Sequence, residues 1–84
     1  MANPHIPLTE LTTDQEGAVV ALRGGSNFVS RLATLGFTPG ARLTMVQNFG
    51  HGPLIVRVRD TRIALGRGEA TKVVIQRRPG HGAL

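Results

Sequence analysis

The chain of 84 residues contains no cysteine. Disulfides, zinc fingers and cysteine-held iron–sulfur clusters are therefore excluded, and the composition suits a reducing cytosol. The sequence begins MANPHIPLTEL, without the basic start and apolar run of a signal peptide, and no apolar stretch approaches the roughly 20 residues of a membrane span. We therefore expect a soluble, intracellular protein.

The chain is also short. Domains typically contain about 100–150 residues, and a chain of this length buries only about 60% of the surface that it exposes when unfolded. One compact core fits, but a deep active-site cleft does not. The segment RGGSN lacks the G-x-x-x-x-G-K-[ST] pattern of a phosphate-binding loop, and no serine has a histidine near it in the sequence. We expect that the chain is not an enzyme.

Aromatic and acidic residues are both scarce. Tryptophan and tyrosine are absent, three phenylalanines are present, and ten basic residues outnumber five acidic ones, for a net charge of +5. Such a charge indicates an anionic partner, either nucleic acid or an anionic membrane surface. Proteins that stack on nucleic-acid bases need exposed aromatic residues among basic ones, and the phenylalanines here lie beside leucines and turns. Nucleic acid is therefore the less favoured of the two.

Short apolar and β-branched segments predict strands. GAVVAL (17–22) reads as a buried strand, and alternation of apolar and polar residues predicts further strands near Leu43, over 54–59 and over 71–76. Asp60–Thr61 is the predicted hairpin turn after the 54–59 strand. A two-residue loop there would place Val58 opposite Ile63 and Val56 opposite Leu65 on the core side. Arg59 would then lie opposite Arg62 on the outer face.

A short helix is predicted between the first two of these strands. Ser26 or Asn27 can cap its N-terminus, and Gly36 suits a left-handed C-terminal cap. Residues three and four apart fall on one helix face, which here carries the apolar side chains Phe28, Leu32 and Leu35. We expect this face to pack into the core.

The predicted fold is mainly β, a small closed or partly closed barrel of about five strands with one short α-helix between the first two strands. Residues 8–76 form the domain in this interpretation. Residues 1–7 are an N-terminal tail, and residues 77–84, which lack periodicity, are a disordered C-terminal tail.

Two motifs in this frame resemble those of the ferrous iron transport protein A (FeoA) family. RLATLGFTPG (31–40) is similar to R-L-x-x-L-G-[hydrophobic]-x-P-G, and IALGRGEA (63–70) is similar to I-A-L-R-x-x-E-A. Leu8, Leu11, Gly52–Pro53 and the final VVIQ also match. The family commonly has glycine at the positions of Asp14 and Asp60, Gly-Asp-Pro at 51–53 and arginine at the position of Gly66. The resemblance implies an SH3-like barrel related to the C-terminal domain of iron-dependent repressors.

The resemblance also implies a function. Such a protein is an accessory of bacterial ferrous iron uptake, and it works in the cytoplasm by contact with the cytosolic part of the GTP-binding iron permease FeoB, which would hold it at the inner face of the membrane. The alternative from charge alone is a small basic β-barrel that binds nucleic acid or an anionic membrane. A homodimer is left open.

Two surfaces are candidate binding sites. Leu35, Phe37, Pro39 and Pro53 are predicted to form a shallow groove for a partner segment, the usual mode of SH3-like domains; the competing interpretation makes them core residues and turn formers. The second surface is a basic patch of Arg57, Arg59 and Arg62 for an acidic protein or anionic lipid, against the simpler interpretation of a solvated strand face.

A metal site is the remaining candidate. Imidazole and carboxylate groups bind ferrous iron and other divalent transition metals, and the three histidines are His5, His51 and His81. No H-x-x-H or H-x-x-x-E spacing is present. His51, in a glycine-rich loop, is the one weak candidate, and we expect no required cofactor.

Overall fold

The computed structural model describes residues 5–78. Its strands and helices follow in chain order as β1 (His5–Pro7), a 3₁₀ turn (Leu8–Glu10), β2 (Glu16–Leu22), α1 (Ser26–Thr34), β3 (Arg42–Gln47), β4 (Leu54–Val58), β5 (Thr61–Leu65), α2 (Arg67–Ala70) and β6 (Val73–Arg77). The six strands form one antiparallel sheet in the order β1-β6-β2-β3-β4-β5. The predicted fold class is confirmed, with six strands instead of about five.

The additional strand comes from the segment that the sequence assigned to an N-terminal tail. Residues His5–Pro7 pair with Val74–Gln76 of β6 at one edge of the sheet, where proline is tolerated because one side of the strand needs no donor. The helix α1 therefore lies between β2 and β3. At the other terminus Arg77 ends β6, and the Arg78 amide donates to the Glu16 carbonyl at 2.9 Å. The rest of the predicted disordered tail lies outside the described residues.

The core is built from the inward-facing positions of the strands, as the alternation predicts. Strand β4 buries Leu54, Val56 and Val58 and exposes Arg57, and β5 buries Ile63 and Leu65. Side chains from the other elements complete the core, namely Leu8, Leu11, Val19, Leu32, Phe37, Leu43, Met45, Ala70, Val73 and Ile75.

The β4–β5 turn lies one residue earlier than predicted. Val58 pairs with Thr61, so Arg59 and Asp60 are the loop residues, and Arg57 rather than Arg59 lies opposite Arg62. Arg59 has a φ of 58°, a left-handed conformation that glycine would have marked in the sequence. The inward faces are unchanged because the register differs from the predicted one by two positions, the period of a strand.

Helix α1 begins and ends at glycines. Gly25 occupies the N-cap position without a side-chain hydrogen bond, so the predicted caps Ser26 and Asn27 were wrong. At the C-terminus Gly36 has a φ of 109°. The Gly36 amide donates to the Ala33 carbonyl at 3.0 Å and the Phe37 amide to the Leu32 carbonyl at 3.0 Å. This pair of bonds is a Schellman motif.

The C-terminal end of α1 lies against the end of β4. A Cβ atom at Gly36 would stand 3.1 Å from Val58 Cγ1 and 3.7 Å from Arg59 Nε. Glycine is therefore required at this position by its positive φ and by close contact with the strand. The contact places Leu35 and its neighbours beside the β4–β5 turn.

Candidate functional site

The predicted groove is not assembled as expected. Phe37 is 0% exposed and belongs to the core, so its assignment to a partner-binding surface was wrong. The reason is the Schellman motif, in which the residue after the glycine commonly packs against the last turn of the helix. Leu35 is 41% exposed rather than buried, and Pro39 is exposed beside it in the sequence; both stay predicted partner contacts.

Pro53 lies elsewhere. It directly precedes Leu54 at the start of β4, whereas Gly36 contacts Val58 at the end of that strand. Strands rise by about 3.3 Å per residue, so Pro53 and Gly36 are separated by the length of β4. The exposed Pro53 belongs with the β3–β4 loop.

The basic patch is larger than predicted. Arg57 on β4 lies directly opposite Arg62 on one side and Thr44 on the other. Arg42, two residues before Thr44 on the same face of β3, is therefore the diagonal neighbour of Arg57. With Arg59 in the turn, we call Arg42, Arg57, Arg59 and Arg62 the arginine surface; all four are exposed. Sequence reasoning missed Arg42 because the β3–β4 register was unknown.

The arginine surface borders a carboxylate on the same face of the sheet, that of Glu16 on β2, which lies opposite Thr44. Between residues 5 and 78 the ion pair within 4.0 Å is that of Arg31 with Glu69, far from this surface in the sequence and on other elements. Like charges directly opposed on a sheet are destabilising. The pairing of Arg57 with Arg62 therefore brings a cost in stability that an anionic ligand would offset.

The β3–β4 loop is held by Asn48, a residue that sequence reasoning did not single out. Its amide nitrogen donates to the carbonyls of Thr9 at 3.1 Å and Leu11 at 2.8 Å. Its amide oxygen accepts from the Gly50 amide at 3.0 Å and from Arg67 Nη2 at 2.8 Å. One side chain thus ties the N-terminal segment, the loop and α2 together.

Further bonds reinforce this loop. Arg67 Nε donates to the Gly52 carbonyl at 3.2 Å, and the Asn48 amide donates to Thr13 Oγ1 at 3.1 Å. Phe49 next to Asn48 is 67% exposed. The loop therefore presents an aromatic side chain to solvent from a backbone fixed by hydrogen bonds.

His51 is exposed in the same loop. Among residues 5–78 no three histidine, aspartate or glutamate side chains come close enough to share a metal ion. His5 lies in β1, and His81 lies outside the described residues. Metal binding at His51 stays a prediction.

Charged groups also surround Phe28 at the start of α1. Arg31 Cζ lies 5.9 Å and Lys72 Nζ 5.4 Å from the centre of the Phe28 ring, distances at which a cation is attracted to an aromatic face. Arg31 also donates to Glu69 of α2. This bond, with the Gly66 amide that donates to Glu69 Oε1 at 3.2 Å, holds the pKa of the Glu69 carboxyl below its usual 4.5.

Acidification should therefore weaken the α1–α2 contact. Because the folded-state pKa of Glu69 is lowered, its stabilising contribution is present above pH 4.5 and is lost as pH falls through the folded-state value. The pair is exposed, so we expect a loss below about 1 kcal/mol. Urea denaturation of wild type and Glu69→Gln between neutral and acidic pH measures it: the difference between the two proteins should vanish in acid. An equal difference at every pH would contradict the ion pair, and Glu10→Gln is the control.

The sequence of this chain is similar to those of proteins named for ferrous iron transport. The FeoA domain family model matches residues 6–77. A proposed Fe(2+) transport protein A of Methanocaldococcus jannaschii is 30% identical over 70 residues, which are 83% of this chain and 84% of that protein. An Fe(2+) transport protein A/FeoB fusion protein of Porphyromonas gingivalis is 30% identical over 70 residues, covering 82% of this chain but 8% of the fusion protein.

Solved structures of FeoA proteins and of a metal-dependent repressor share this fold. A crystal structure of an iron uptake regulatory protein, FeoA, superposes with a TM-score of 0.82 at 34% identity and covers 88% of this chain and 99% of its own. FeoA of Stenotrophomonas maltophilia complexed with zinc, an SH3 domain protein, has a TM-score of 0.73 at 34% identity and covers 82% and 87%. A manganese-dependent transcriptional repressor shares the fold at 16% identity, with a TM-score of 0.81 over 93% of this chain and 44% of its own.

No helix among the described residues is long and apolar enough to cross a membrane. The family model covers the domain from β1 to β6, including both sequence motifs. The chain therefore belongs to the FeoA family.

Proposed function

We propose that this chain is an accessory of ferrous iron uptake that acts by binding the cytosolic part of an FeoB-type permease. The observation that carries the proposal is the Porphyromonas gingivalis relative, in which a matching domain and an FeoB transporter form one polypeptide. Fusion gives two domains a high effective concentration for each other, an arrangement suited to modules that work in contact. Separate chains would meet through the same surfaces, and the partner would hold this chain at the inner face of the membrane.

The shape and charge of the domain support a contact role. The exposed large apolar side chains of the described residues are Leu35, at the end of α1, and Phe49, in the β3–β4 loop. Hydrogen bonds fix both segments in place. Rigid anchors of this kind lose little conformational entropy on binding. The arginine surface adds a cationic region that can steer an acidic partner.

Isothermal titration of the full chain into the purified cytosolic part of the FeoB-type permease from the same organism tests the proposal. We expect saturable heat with one chain bound per permease domain. A GTPase of similar size and net charge is the control titrant. Absence of saturable heat with a folded chain would overturn the proposal, and GTP hydrolysis measured in the same mixtures would show whether contact changes the rate.

Zinc in the Stenotrophomonas maltophilia structure supports a second candidate, binding of a transition metal ion. His51 is the exposed imidazole in the described part of this chain's β3–β4 loop. Anaerobic titration of ferrous iron into wild type and His51→Ala tests it. Affinity weaker than millimolar, or equal affinity in both proteins, would exclude a physiological site at His51.

A further inference from the structure

Strand β5 is an unpaired edge of the sheet. Among the described strands β5 is hydrogen-bonded to β4 alone, because β1 and β5 are the two ends of the strand order. The two edges differ. Strand β1 has three residues and ends in Pro7, which has no amide donor, whereas β5 has five residues and no proline. Short or proline-bearing edges resist strand addition, and longer ones invite it.

The free side of β5 can be assigned residue by residue. Val58 and Thr61 close the two-residue turn as a pair. Alternate residues of an antiparallel strand direct both backbone groups to the same neighbour, so Thr61, Ile63 and Leu65 face β4. Arg62 and Ala64 face away from it. Both are exposed, and within residues 5–78 their backbone groups make no hydrogen bond on that side.

The arginine surface borders this edge. Arg62 is on β5 itself, and Arg57 is its cross-strand neighbour. The nearest acidic residue in the sequence is Asp60 in the turn, which forms no ion pair within 4.0 Å in the described part of the chain. A strand added beside β5 would place one side chain directly opposite Arg62 and the next side chain on the same face opposite Ala64. An acidic residue opposite Arg62 would be stabilised.

We infer that the β5 edge binds an extended acidic segment of a protein partner as a seventh strand. The segment's backbone would pair with Arg62 and Ala64, and its carboxylates would contact the arginine surface. This inference deepens the proposed function and rests on it for the identity of the partner, since it names the face and the chemistry by which the permease would be bound.

The edge favours a polypeptide over other anionic partners. A membrane surface or a nucleic acid can contact the arginines, but neither supplies a row of backbone donors and acceptors at strand spacing. Strand addition uses main-chain hydrogen bonds for affinity and alternate side chains for specificity. Ala64 is small and exposed, so it leaves room for the side chains of an incoming strand.

The test uses the full chain labelled with ¹⁵N and a blocked peptide that alternates glutamate with valine over the five residues of β5. We expect hydrogen exchange of the Arg62 and Ala64 amides to slow by about tenfold or more on binding, with the Ile63 amide little changed. Two control peptides separate the contribution of charge from that of backbone hydrogen bonds. Lysine in place of glutamate reverses the charge, and N-methylation of every backbone amide of the peptide keeps the charge but removes the backbone donors. Neither should protect the two amides.

Variants locate the contact. Arg62→Glu should weaken peptide binding by about tenfold or more, while Arg23→Glu, an equal charge change in the exposed β2–α1 loop, should leave it within about twofold. Ala64→Pro removes an amide that points away from β4, so the β4–β5 pairing survives and peptide affinity falls. Heteronuclear spectra confirm that each variant is folded.

The outcomes are separable. Binding of phosphatidylglycerol vesicles or duplex DNA with the same arginine dependence, and no amide protection by the peptide, would overturn the inference in favour of a purely electrostatic surface. Peptide protection without permease binding supports the edge and overturns the proposed function. Permease binding that Arg62→Glu and Ala64→Pro leave unchanged overturns the edge alone.

Discussion

Replacing Phe37 by alanine should lower the free energy of unfolding by about 3–5 kcal/mol. Phe37 is 0% exposed and is among the largest fully buried side chains of the described chain. Truncation removes most of an aromatic ring from the core and leaves a cavity that the surrounding structure refills only in part. Small domains have total stabilities of about 5–15 kcal/mol, so this single change should bring the domain near the limit of folding.

The position of Phe37 explains why its loss is not confined to one contact. Its amide donates to the Leu32 carbonyl at 3.0 Å, and the side chains of both residues are fully buried. The ring thus joins the last turn of α1 to the strands, beside the contact of Gly36 with Val58. Without the ring, the end of the helix keeps Leu32 in the core but loses the second fully buried side chain at this end.

Urea denaturation followed by circular dichroism measures the effect. Phe37→Leu restores most of the volume and should cost less than about 1.5 kcal/mol, which gives a measurable value even if Phe37→Ala does not fold. Leu35→Ala is the matched surface control, because Leu35 is 41% exposed. A Phe37→Ala protein as stable as wild type would place the ring at the surface and restore the predicted groove.

The sequence was sufficient to predict the burial of residues that alternate with a simple period. Alternation correctly predicted that Val56, Val58, Ile63 and Leu65 face the core, and this result survived an error in the turn because the register moved by two residues. The helix was placed correctly because glycines break the pattern at both of its ends. Periods and breakers are local properties, so one chain suffices to find them.

Properties that depend on pairing could not be read from the sequence. Arg42 joins the arginine surface through the β3–β4 register, and no local pattern specifies that register. Strand β1 is three residues long and depends on β6 for its pairing. The burial of Phe37, in contrast, was predictable, since a Gly-Phe pair after a helix is the expected form of a Schellman motif with its apolar contact.

The backbone conformation explains why aspartate can replace glycine at position 14. Glycine is common there in the family, and Asp14 has a φ of 73°. Glycine adopts this left-handed conformation freely, and aspartate is among the residues that tolerate it best. Aspartate at position 14 therefore preserves the left-handed backbone conformation. At the β4–β5 turn, in contrast, the left-handed residue is Arg59 rather than Asp60.

Replacing Asn48 by alanine should lower the free energy of unfolding by about 2–4 kcal/mol. Its amide group makes four hydrogen bonds, to the carbonyls of Thr9 and Leu11 and from Gly50 and Arg67. The bonds to the two carbonyls are partly buried, so those acceptors would lose their partner where water has limited access. An amide side chain can donate with its nitrogen and accept with its oxygen. No sequence pattern indicated this role for Asn48.

Thermal denaturation and hydrogen exchange measure this loss together. For a domain of this size about 1 kcal/mol corresponds to roughly 4–8 °C in Tm, so Asn48→Ala should melt well below wild type. Asn48→Asp keeps the acceptor for Gly50 and Arg67 but loses both donors, and it separates the two halves of the network. Asn27→Ala is the matched control: Asn27 is exposed on α1, and its change should stay within about 0.5 kcal/mol.

Local effects should accompany the change in stability. Because Asn48 fixes the β3–β4 loop from both sides, the Gly50 amide, which donates to Asn48 Oδ1 at 3.0 Å, should exchange faster in Asn48→Ala than the loss of global stability alone explains. Equal melting of Asn48→Ala and Asn27→Ala would show that the loop and the N-terminal segment hold together without this side chain. If the loop loosens as expected, the exposed Phe49 beside Asn48 loses the fixed backbone that presents it, and its value as a rigid anchor for the proposed permease partner falls with the network.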